Sequence, residues 1–367
     1  LRGGSLLHDY EREDIPGTKT NWEIGGDYEY RRDDGNRFKI LVIANKNDTA
    51  NTRERWDILE NGSEEKNLFL DTGSILEERI MRGSYTMNLF GGQDVEVGAE
   101  RAQTILDSNL ALGLLSGSEA PSQAFRGLSP VNIPNANTRV EEVRYEPFAI
   151  HNWRISPRMS LETSLVYETS EISMSGDVSN SRDFNFFKPK LDYRFDVTPQ
   201  LQLRVLIEKV VRQLSFTDFV ATSDQDDEDS NTLAGNSNLR PDYWWNYNLL
   251  AEYRLPDDQG VVSANFYHHR HKDLLQRIDV SPGPNDLRSA AGNIGTGDMQ
   301  VFEIKGSVRL SRLGMPNVLF TTSANVRDSW VTDSFLNETR RFNNYHRGEF
   351  NWGFRHDIPQ WRLNYGI

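Results

Sequence analysis

The chain of 367 residues has no cysteine and no long apolar run. Without cysteine it has no disulfide, no thiolate zinc site and no cysteine nucleophile, which is compatible with a secreted or envelope protein. A membrane-spanning helix needs about 20 consecutive apolar residues. The most apolar short stretch, LALGLL at 110–115, is much too brief. The sequence therefore excludes a disulfide-stapled scaffold and a helical membrane protein.

Positive charge is also in short supply. The chain has 41 Lys and Arg against 54 Asp and Glu, a net charge of -13, and its basic residues form no stripe. Because nucleic-acid-binding proteins neutralise phosphates with clustered Lys and Arg, we expect no nucleic-acid partner. The mean hydropathy of -0.64 is typical of a soluble protein. A large β-barrel also gives low values, since only every second residue of its spanning segments is apolar.

Apolar and polar residues alternate along the stretch from Gly235 to Leu310. Odd positions from 245 to 255 are apolar or aromatic, as are most even positions from 302 to 310. This period of two residues predicts β-strands with one apolar face and one polar face. From Trp245 to Tyr253, eight steps of about 3.3 Å at a tilt near 40° span roughly 20 Å, close to the apolar band of an outer-membrane barrel.

Tight breaks divide the chain into hairpins. They lie near Asp34, Gly92, Pro157, Pro199, Asp258, Gly314 and Pro359. Long polar segments separate these breaks, whereas a soluble sandwich turns every 8 to 12 residues or so. The pattern predicts an all-β, antiparallel transmembrane β-barrel with about fourteen visible strands, short periplasmic turns and long extracellular loops.

The limits of this barrel follow from the same pattern. We expect residues 1–20 to form an incoming loop or linker, residues 21–367 to form a partial barrel truncated at both ends, and the polar segment from Lys46 to about Asp71 to be a loop. In lipid a sheet must close so that every backbone amide is paired. A barrel of more than eight strands encloses a channel or a plugged channel.

The stretch GNSNLRPDYWWNYNLLAEY at 235–253 resembles the barrel signature of TonB-dependent receptors. In that signature an Asn-Leu-x-Pro-acid run ends a long loop, and the strand that follows ends in a Glu-Tyr-like pair. The matching residues are Asn238, Leu239, Pro241, Asp242, Glu252 and Tyr253. The family more often has Glu at the position of Asp242.

The resemblance implies a bacterial outer-membrane location and a barrel of about 22 strands with an N-terminal plug. It also implies energy-dependent uptake of a scarce ligand, such as a siderophore, a vitamin, a metal complex or a carbohydrate. The implied partners are outer-membrane lipid, a small ligand in the loops and lumen, and an inner-membrane energising complex that acts through the plug region.

Three groups of residues are candidate sites. The run from His268 to His271 places His269 and His271 on one strand face, a spacing compatible with a metal, although a solvated pair is the simpler interpretation. The acidic loop near Asp226 offers oxygen ligands for calcium but lacks the pattern of a calcium loop. Aromatic residues at 243–245 suit a ligand ring or a membrane-interface girdle. We assign no metal or cofactor to any of these groups.

Three functions remain open. A ligand-gated outer-membrane receptor is favoured by the family-like runs and the long loops. A passive porin-like channel has the same strand pattern, and a soluble extracellular β-rich binding protein would need the apolar faces to pack together. The chain has no phosphate-binding glycine loop, no Gly-x-Ser-x-Gly elbow and no His-Glu-x-x-His helix, so we expect a protein that is not an enzyme, with no catalytic residues to assign.

Overall fold

The structure is a computed structural model that describes residues 10–115, 119–223, 232–233, 235–281, 283, 289–334, 337–343 and 346–367, with backbone alone at 222–223 and 232–233. β-strands dominate these residues, and only short 3-10 turns interrupt them. No helix in the described part of the chain is long and apolar enough to span a membrane.

The strands are numbered in chain order. The first ten are β1 (Tyr10–Asp14), β2 (Gly17–Arg31), β3 (Arg37–Ile58), β4 (Glu64–Asn88), β5 (Gln93–Leu114), β6 (Ser129–Val131), β7 (Asn137–Ser156), β8 (Met159–Gly176), β9 (Asn180–Asp196) and β10 (Leu201–Val211). The others are β11 (Thr222–Ser223), β12 (Thr232–Leu233), β13 (Tyr243–Leu255), β14 (Gly260–Lys272), β15 (Leu275–Asp279), β16 (Ser289–Asn293), β17 (Gly297–Leu310), β18 (Met315–Asp333), β19 (Glu338–Arg340), β20 (Gly348–Ile358) and β21 (Leu363–Gly366).

Seventeen of these strands form one antiparallel sheet. Fourteen of them follow one another in space as in sequence, in the order β2, β3, β4, β5, β7, β8, β9, β10, β13, β14, β17, β18, β20, β21. The short strands β1, β6 and β19 extend this sheet. The prediction of about fourteen antiparallel strands is confirmed. In the described residues β2 and β21 do not pair with each other, so the sheet is an open part of a barrel wall.

All the predicted tight breaks join neighbouring strands at one end of the sheet, which we call the turn end. The break near Gly314 is a 3-10 turn at Ser311–Leu313 that stops at Gly314. Gly314 has φ of 78°, a left-handed conformation that glycine adopts without steric cost. The opposite end, called the loop end, carries the longer connections, including those at 212–242 and 273–296.

Two expected loops are instead strands. Residues 46–58 and 64–71 continue β3 and β4 to a short turn at 59–63, and residues 10–14 and 17–20 are strands paired to β3. Ion pairs such as Arg12–Glu64 at 2.9 Å and Lys66–Glu54 at 3.1 Å link these strands. Apolar residues are sparse in this region, and the consecutive Leu68, Phe69 and Leu70 on β4 do not alternate with polar residues, so the period of two that identified the other strands is missing here.

The two faces of the sheet meet different surroundings. On the apolar face one row of directly opposed residues crosses six adjacent strands, and its members are Tyr193, Val205, Leu249, Phe266, Phe302 and Val326. The exposed fractions reach 50% for Leu249 and 68% for Val326. No second layer covers this face in the described residues, so the expected alternative of a soluble sandwich core is not what the chain forms.

The buried apolar clusters lie on the polar face, towards the loop end. The largest cluster joins inward side chains of β5, β7 and β8 to the connection at 212–242, and its members are Leu106, Val140, Ile172, Met174, Leu214, Phe216, Phe219, Val220 and Leu239. A second cluster joins β4 and β5 to the segment at 131–136. The connections at this end therefore fold inward over the polar face.

A charge on the apolar face should destabilise the protein in lipid. We predict that Leu249→Arg lowers the free energy of unfolding by about 2–4 kcal/mol, because the guanidinium would enter hydrocarbon. The matched control is Leu250→Arg, which places the same side chain on the polar face beside Arg204 and Glu252. Urea unfolding in lipid vesicles measures both variants, and equal losses would contradict the assignment of the faces.

Candidate functional site

The connection at 212–242 builds most of the candidate site. After β10 the chain turns through a 3-10 helix at Phe216–Phe219, preceded by Ser215. Phe216 and Phe219 meet edge to face, with ring centres 6.4 Å apart. Phe219 is 1% exposed, so the aromatic pair anchors this segment on the inward face of the sheet.

The family-like run at 238–242 holds the end of this connection in place. Leu239 is fully buried in the largest apolar cluster. Its carbonyl oxygen accepts a hydrogen bond of 2.7 Å from Arg182 Nη1, and the carbonyl of Ser237 accepts one of 2.8 Å from Asn180 Nδ2. The run is therefore tied to β9, which lies two places away in the sheet from the strand that it starts.

Arg240 links this connection to the next one. Its backbone N–H donates to Asn293 Oδ1 at 2.9 Å, and Asn293 Nδ2 donates back to the Arg240 carbonyl at 2.8 Å. Asn293 Nδ2 also donates to the carbonyl of Asp273 at 2.7 Å, while the Arg240 guanidinium lies 2.6 Å from the Asp273 carboxylate. The side-chain amide of Asn293 therefore bonds to the backbone at Arg240 and at Asp273, and so joins the two connections where no strands pair.

Asp242 makes the second link. Its side chain is fully buried, with Oδ1 3.1 Å from His271 Nδ1 and Oδ2 3.6 Å from Arg212 Nη2. The indole of Trp244 stacks on the imidazole of His271 with ring centres 5.0 Å apart. We call Arg240, Asp242, His271, Asp273 and Asn293 the latch. Of the other signature residues, Glu252 pairs with Arg254 at 3.1 Å, and Tyr253 is 42% exposed on the apolar face.

A third connection, at 334–347, joins this assembly. Arg340 Nη1 donates to Gln276 Oε1 at 2.8 Å, and the Arg340 guanidinium lies 2.9 Å from the Asp333 carboxylate. The ring of Phe342 meets His271 edge to face at 5.5 Å. Three successive connections at the loop end are therefore fixed to one another.

A cavity of about 430 Å³ opens between the first two connections and is called the mouth cavity. It is lined by Arg212, Gln213, Ser215, Thr217, Asp218, Leu275, Gln276, Arg277, Ala290 and Ala291. Its volume lies in the range of small-molecule sites. Two guanidinium groups, two amides and two hydroxyls line it, which suits a ligand rich in oxygen acceptors.

Burial raises the pKa of the Asp218 carboxyl above its ordinary value, and the positive charge of Arg212 opposes this rise. A carboxyl whose pKa is raised holds its proton at a higher pH than it would in water. The mouth cavity therefore tends to lose its one lining carboxylate on acidification, while both guanidinium groups keep their charge.

The structure places the predicted site residues on opposite faces. His269 and His271 share one strand face and point inward, but His271 is buried against Asp242 and is not solvated. His268 lies on the apolar face with Nε2 3.0 Å from Asp298 Oδ1. No group of three or more potential metal ligands occurs in the described residues. Trp244 is inward, against both inward histidines, while Trp245 stacks with Tyr247 on the apolar face. Asp226 in the acidic loop lies outside the described residues.

Sequence reasoning missed the mouth cavity. The cavity lies between the segment that follows the end of β10 at Val211 and the strand β15 at 275–279. β15 belongs to a separate sheet of four short strands. The Ser-Phe-Thr-Asp-Phe run at 215–219, with a capping-type serine before a turn, was the local signal for a break there.

A second cavity, of about 660 Å³, lies on the polar face at the turn end. Charged side chains from six strands and from the β7–β8 turn surround it, including Asp94, Arg158, Glu162, Asp192 and Arg204. Arg204 and Asp192 form an ion pair within this set. Its polar lining fits a water-filled or protein-filled lumen.

Loss of the buried latch carboxylate should loosen the loop end. We predict that Asp242→Ala costs about 1–3 kcal/mol, because His271 Nδ1 loses its partner inside the protein. Amide hydrogen exchange should then speed up at 236–242 and 289–294 while β13 stays protected. The control is Asp328→Ala, whose side chain is 68% exposed. Equal exchange in the two variants would show that the latch carries no stability.

The raised pKa of Asp218 gives a pH dependence of defined sign. The folded connection binds this proton more tightly than the unfolded chain, so its stability is greatest below the ordinary aspartate pKa and falls as pH rises through the folded pKa. We predict that Asp218→Asn removes this fall at 214–221, measured by hydrogen exchange corrected for intrinsic rates. An unchanged pH profile in the variant would contradict the prediction.

Solved structures give the first comparison with known proteins. The pyoverdine outer-membrane receptor FpvA from Pseudomonas aeruginosa PAO1 has a TM-score of 0.61 at 9% identity, over 94% of this chain and 48% of that one. The hemophore receptor HasR of Serratia marcescens, in complex with HasA and heme, has a TM-score of 0.57 at 10% identity, over 98% and 64%. The alcaligin receptor FauA from Bordetella pertussis has 0.50 at 12% identity, over 93% and 58%.

These likenesses concern the fold, and the chain spans about half the length of the first structures that it matches, from 44% to 58%. No curated protein sequence matches the chain. A family model described as TonB dependent receptor-like, beta-barrel, matches residues 3–367. The chain therefore belongs to the TonB-dependent receptor family, as the β-barrel of an outer-membrane protein.

Proposed function

We propose that this barrel serves in energy-dependent uptake of a scarce small-molecule ligand across the outer membrane, and that it is a transporter and not an enzyme. The main support for this proposal is that the connections at the loop end fold inward over the polar face. The latch and Arg340 fix three connections together, and the first two of them line a mouth cavity of about 430 Å³. A barrel that only leaked solutes would gain nothing from an ordered, enclosed mouth.

The chemistry of the mouth cavity limits the ligand. Arg212 and Arg277 offer guanidinium groups, and Gln213 and Gln276 offer amides. Guanidinium forks bind carboxylate and similar oxygen anions in pairs of hydrogen bonds. Among the expected classes, siderophores and other oxygen-rich metal complexes fit this lining better than an uncharged carbohydrate. FpvA has been solved bound to pyoverdine, and HasR in complex with HasA and heme. By analogy, these structures support a metal complex as the cargo of this chain.

The energy for uptake must come from another compartment, because the outer membrane has no ATP beside it and no large ion gradient across it. We propose that an inner-membrane energising complex acts through a plug that occupies the lumen. The charged turn-end cavity, with Arg158, Glu162 and Asp192 in its wall, offers a polar surface for such a plug. Ion pairs that are easily exchanged suit a surface against which another domain moves.

Uptake by cells tests the proposal. Cells that express the protein, and lack their own receptors for the same cargo, are given radiolabelled ferric siderophores, cobalamin and oligosaccharides in turn. We predict accumulation of an iron complex that a protonophore abolishes while surface binding persists. Accumulation that continues without an energised inner membrane, together with a large steady conductance in planar bilayers, would favour the passive channel.

Filling the mouth cavity should weaken binding without harming the barrel. We predict that Thr217→Trp raises the Kd of that iron complex about tenfold or more, because the indole occupies the space beside Arg212 and Asp218. Thr339→Trp, an exposed threonine of the third connection, is the matched control. Equal affinities of both variants would place the binding site elsewhere while leaving uptake itself intact.

A further inference from the structure

The apolar face carries a cluster of positive charge where it meets the loop end. Its members are Lys209 on β10, Tyr243 and Trp245 on β13, and Arg270 and Lys272 on β14, and together they are called the basic patch. In a chain with a net charge of -13, three cations on one small area of the outward wall are a local exception.

The strand register brings these side chains to one side of the wall. Lys209 lies directly opposite Trp245, which lies directly opposite Arg270. Since paired strands are about 4.8 Å apart, the Cα atoms of Lys209 and Arg270 are about 10 Å apart. Tyr243 lies directly opposite Lys272, two residues nearer the loop end. The three cations are therefore within reach of one another through their long side chains.

Within the basic patch, the side chain of Lys209 points towards the loop end of the sheet. Lys209 Nζ lies 4.3 Å from the ring centre of Tyr243 and 5.5 Å from that of Phe186. Tyr243 lies two residues nearer the loop end than Trp245, which is opposite Lys209. The aliphatic part of the lysine side chain therefore runs along the wall away from the apolar band. This is the arrangement expected when an ammonium group seeks the polar layer of a membrane.

The position of the basic patch coincides with the border of the apolar band. Val205, Ile207 and Leu249 lie further from the loop end on β10 and β13, and Trp245 of the patch stacks on Tyr247. Aromatic rings of this kind mark the interface between hydrocarbon and headgroups. Arg270 and Lys272 are exposed at that level.

Acidic neighbours do not cancel this charge. The nearest acid in the register is Asp298, directly opposite Arg270, and its carboxylate already contacts His268 Nε2 at 3.0 Å. Other carboxylates on this face include Asp328 on β18, which lies 3.5 Å from Arg341, and Glu171 and Asp183, which are opposite each other on β8 and β9. Set against the one carboxylate of Asp298, the three cations of the patch leave a net charge of about +2 for an anion from outside the protein.

We propose that the basic patch binds the phosphate group of an anionic lipid in the outer leaflet. Arg270 would hold two phosphate oxygens through its guanidinium fork, Lys209 and Lys272 would supply point charges, and Trp245 and Tyr243 would pack against the headgroup and the upper acyl chain. The proposal depends on the membrane location of the chain and not on its cargo.

Native mass spectrometry of the detergent-solubilised protein tests this proposal. The protein is titrated with phosphatidylglycerol, with lipid A and with phosphatidylcholine. We expect the two phosphate-bearing anionic lipids to bind, and the triple variant Lys209→Gln, Arg270→Gln, Lys272→Gln to bind them about tenfold or more weakly. Phosphatidylcholine should bind both proteins equally.

The control variant loses the same charge elsewhere. Arg254→Gln, Lys305→Gln, Arg355→Gln removes three cations from the polar face at the turn end, each of which pairs with an acid two residues away. Heat-modifiable migration shows that each variant is folded. Lipid binding that is unchanged in the patch variant, or lost equally in the control variant, would overturn the proposal. Inorganic phosphate that competes at the same concentration as lipid would show a site for free anions and would overturn it too.

Discussion

Backbone hydrogen bonding is the constraint on which the rest of this structure depends. In hydrocarbon an unpaired amide costs several kcal/mol, so each strand that crosses needs a partner on both sides. Each of the twelve principal strands between β2 and β21 has two partners, and short turns or longer connections join them in sequence order. Once the backbone is satisfied in this way, only one side-chain position in two must be apolar. This is why a membrane-embedded chain can have a mean hydropathy of -0.64.

The features that the sequence predicts well are those set by this constraint. Strand faces and tight turns follow from the period of two and from residues such as Gly314, and both are local properties. The features that it misses lie outside the membrane. Strands β3 and β4 run on past the apolar band with few apolar residues, so they have no period of two to detect, and ion pairs such as Lys66–Glu54 link them. The mouth cavity depends on contacts between connections far apart in sequence.

The latch shows how a recognisable motif can have a role that its letters do not reveal. The run Asn238 to Asp242 marks the family because it must end a long connection and begin a strand, and its side chains fix that geometry. Leu239 fills a core, and Asp242 holds His271. The partner of Arg240 is Asn293, more than fifty residues further on, which no local pattern predicts. The same bonds that begin β13 therefore also order the mouth of the barrel.

Strand register decides which side chains lie on the inward face of this wall and which lie on its apolar face. Along β14, His269 and His271 lie on the inward face with the latch, while Arg270 and Lys272 lie on the apolar face. A shift of one residue in the pairing of β13 with β14 would exchange these two sets, moving cations inward and the latch histidine into the membrane border. The buried pair of Asp242 with His271 forbids that shift from the inside, and the apolar row through Leu249 opposes it from the outside. The bonds that order the mouth cavity therefore also fix which side chains lie on the apolar face.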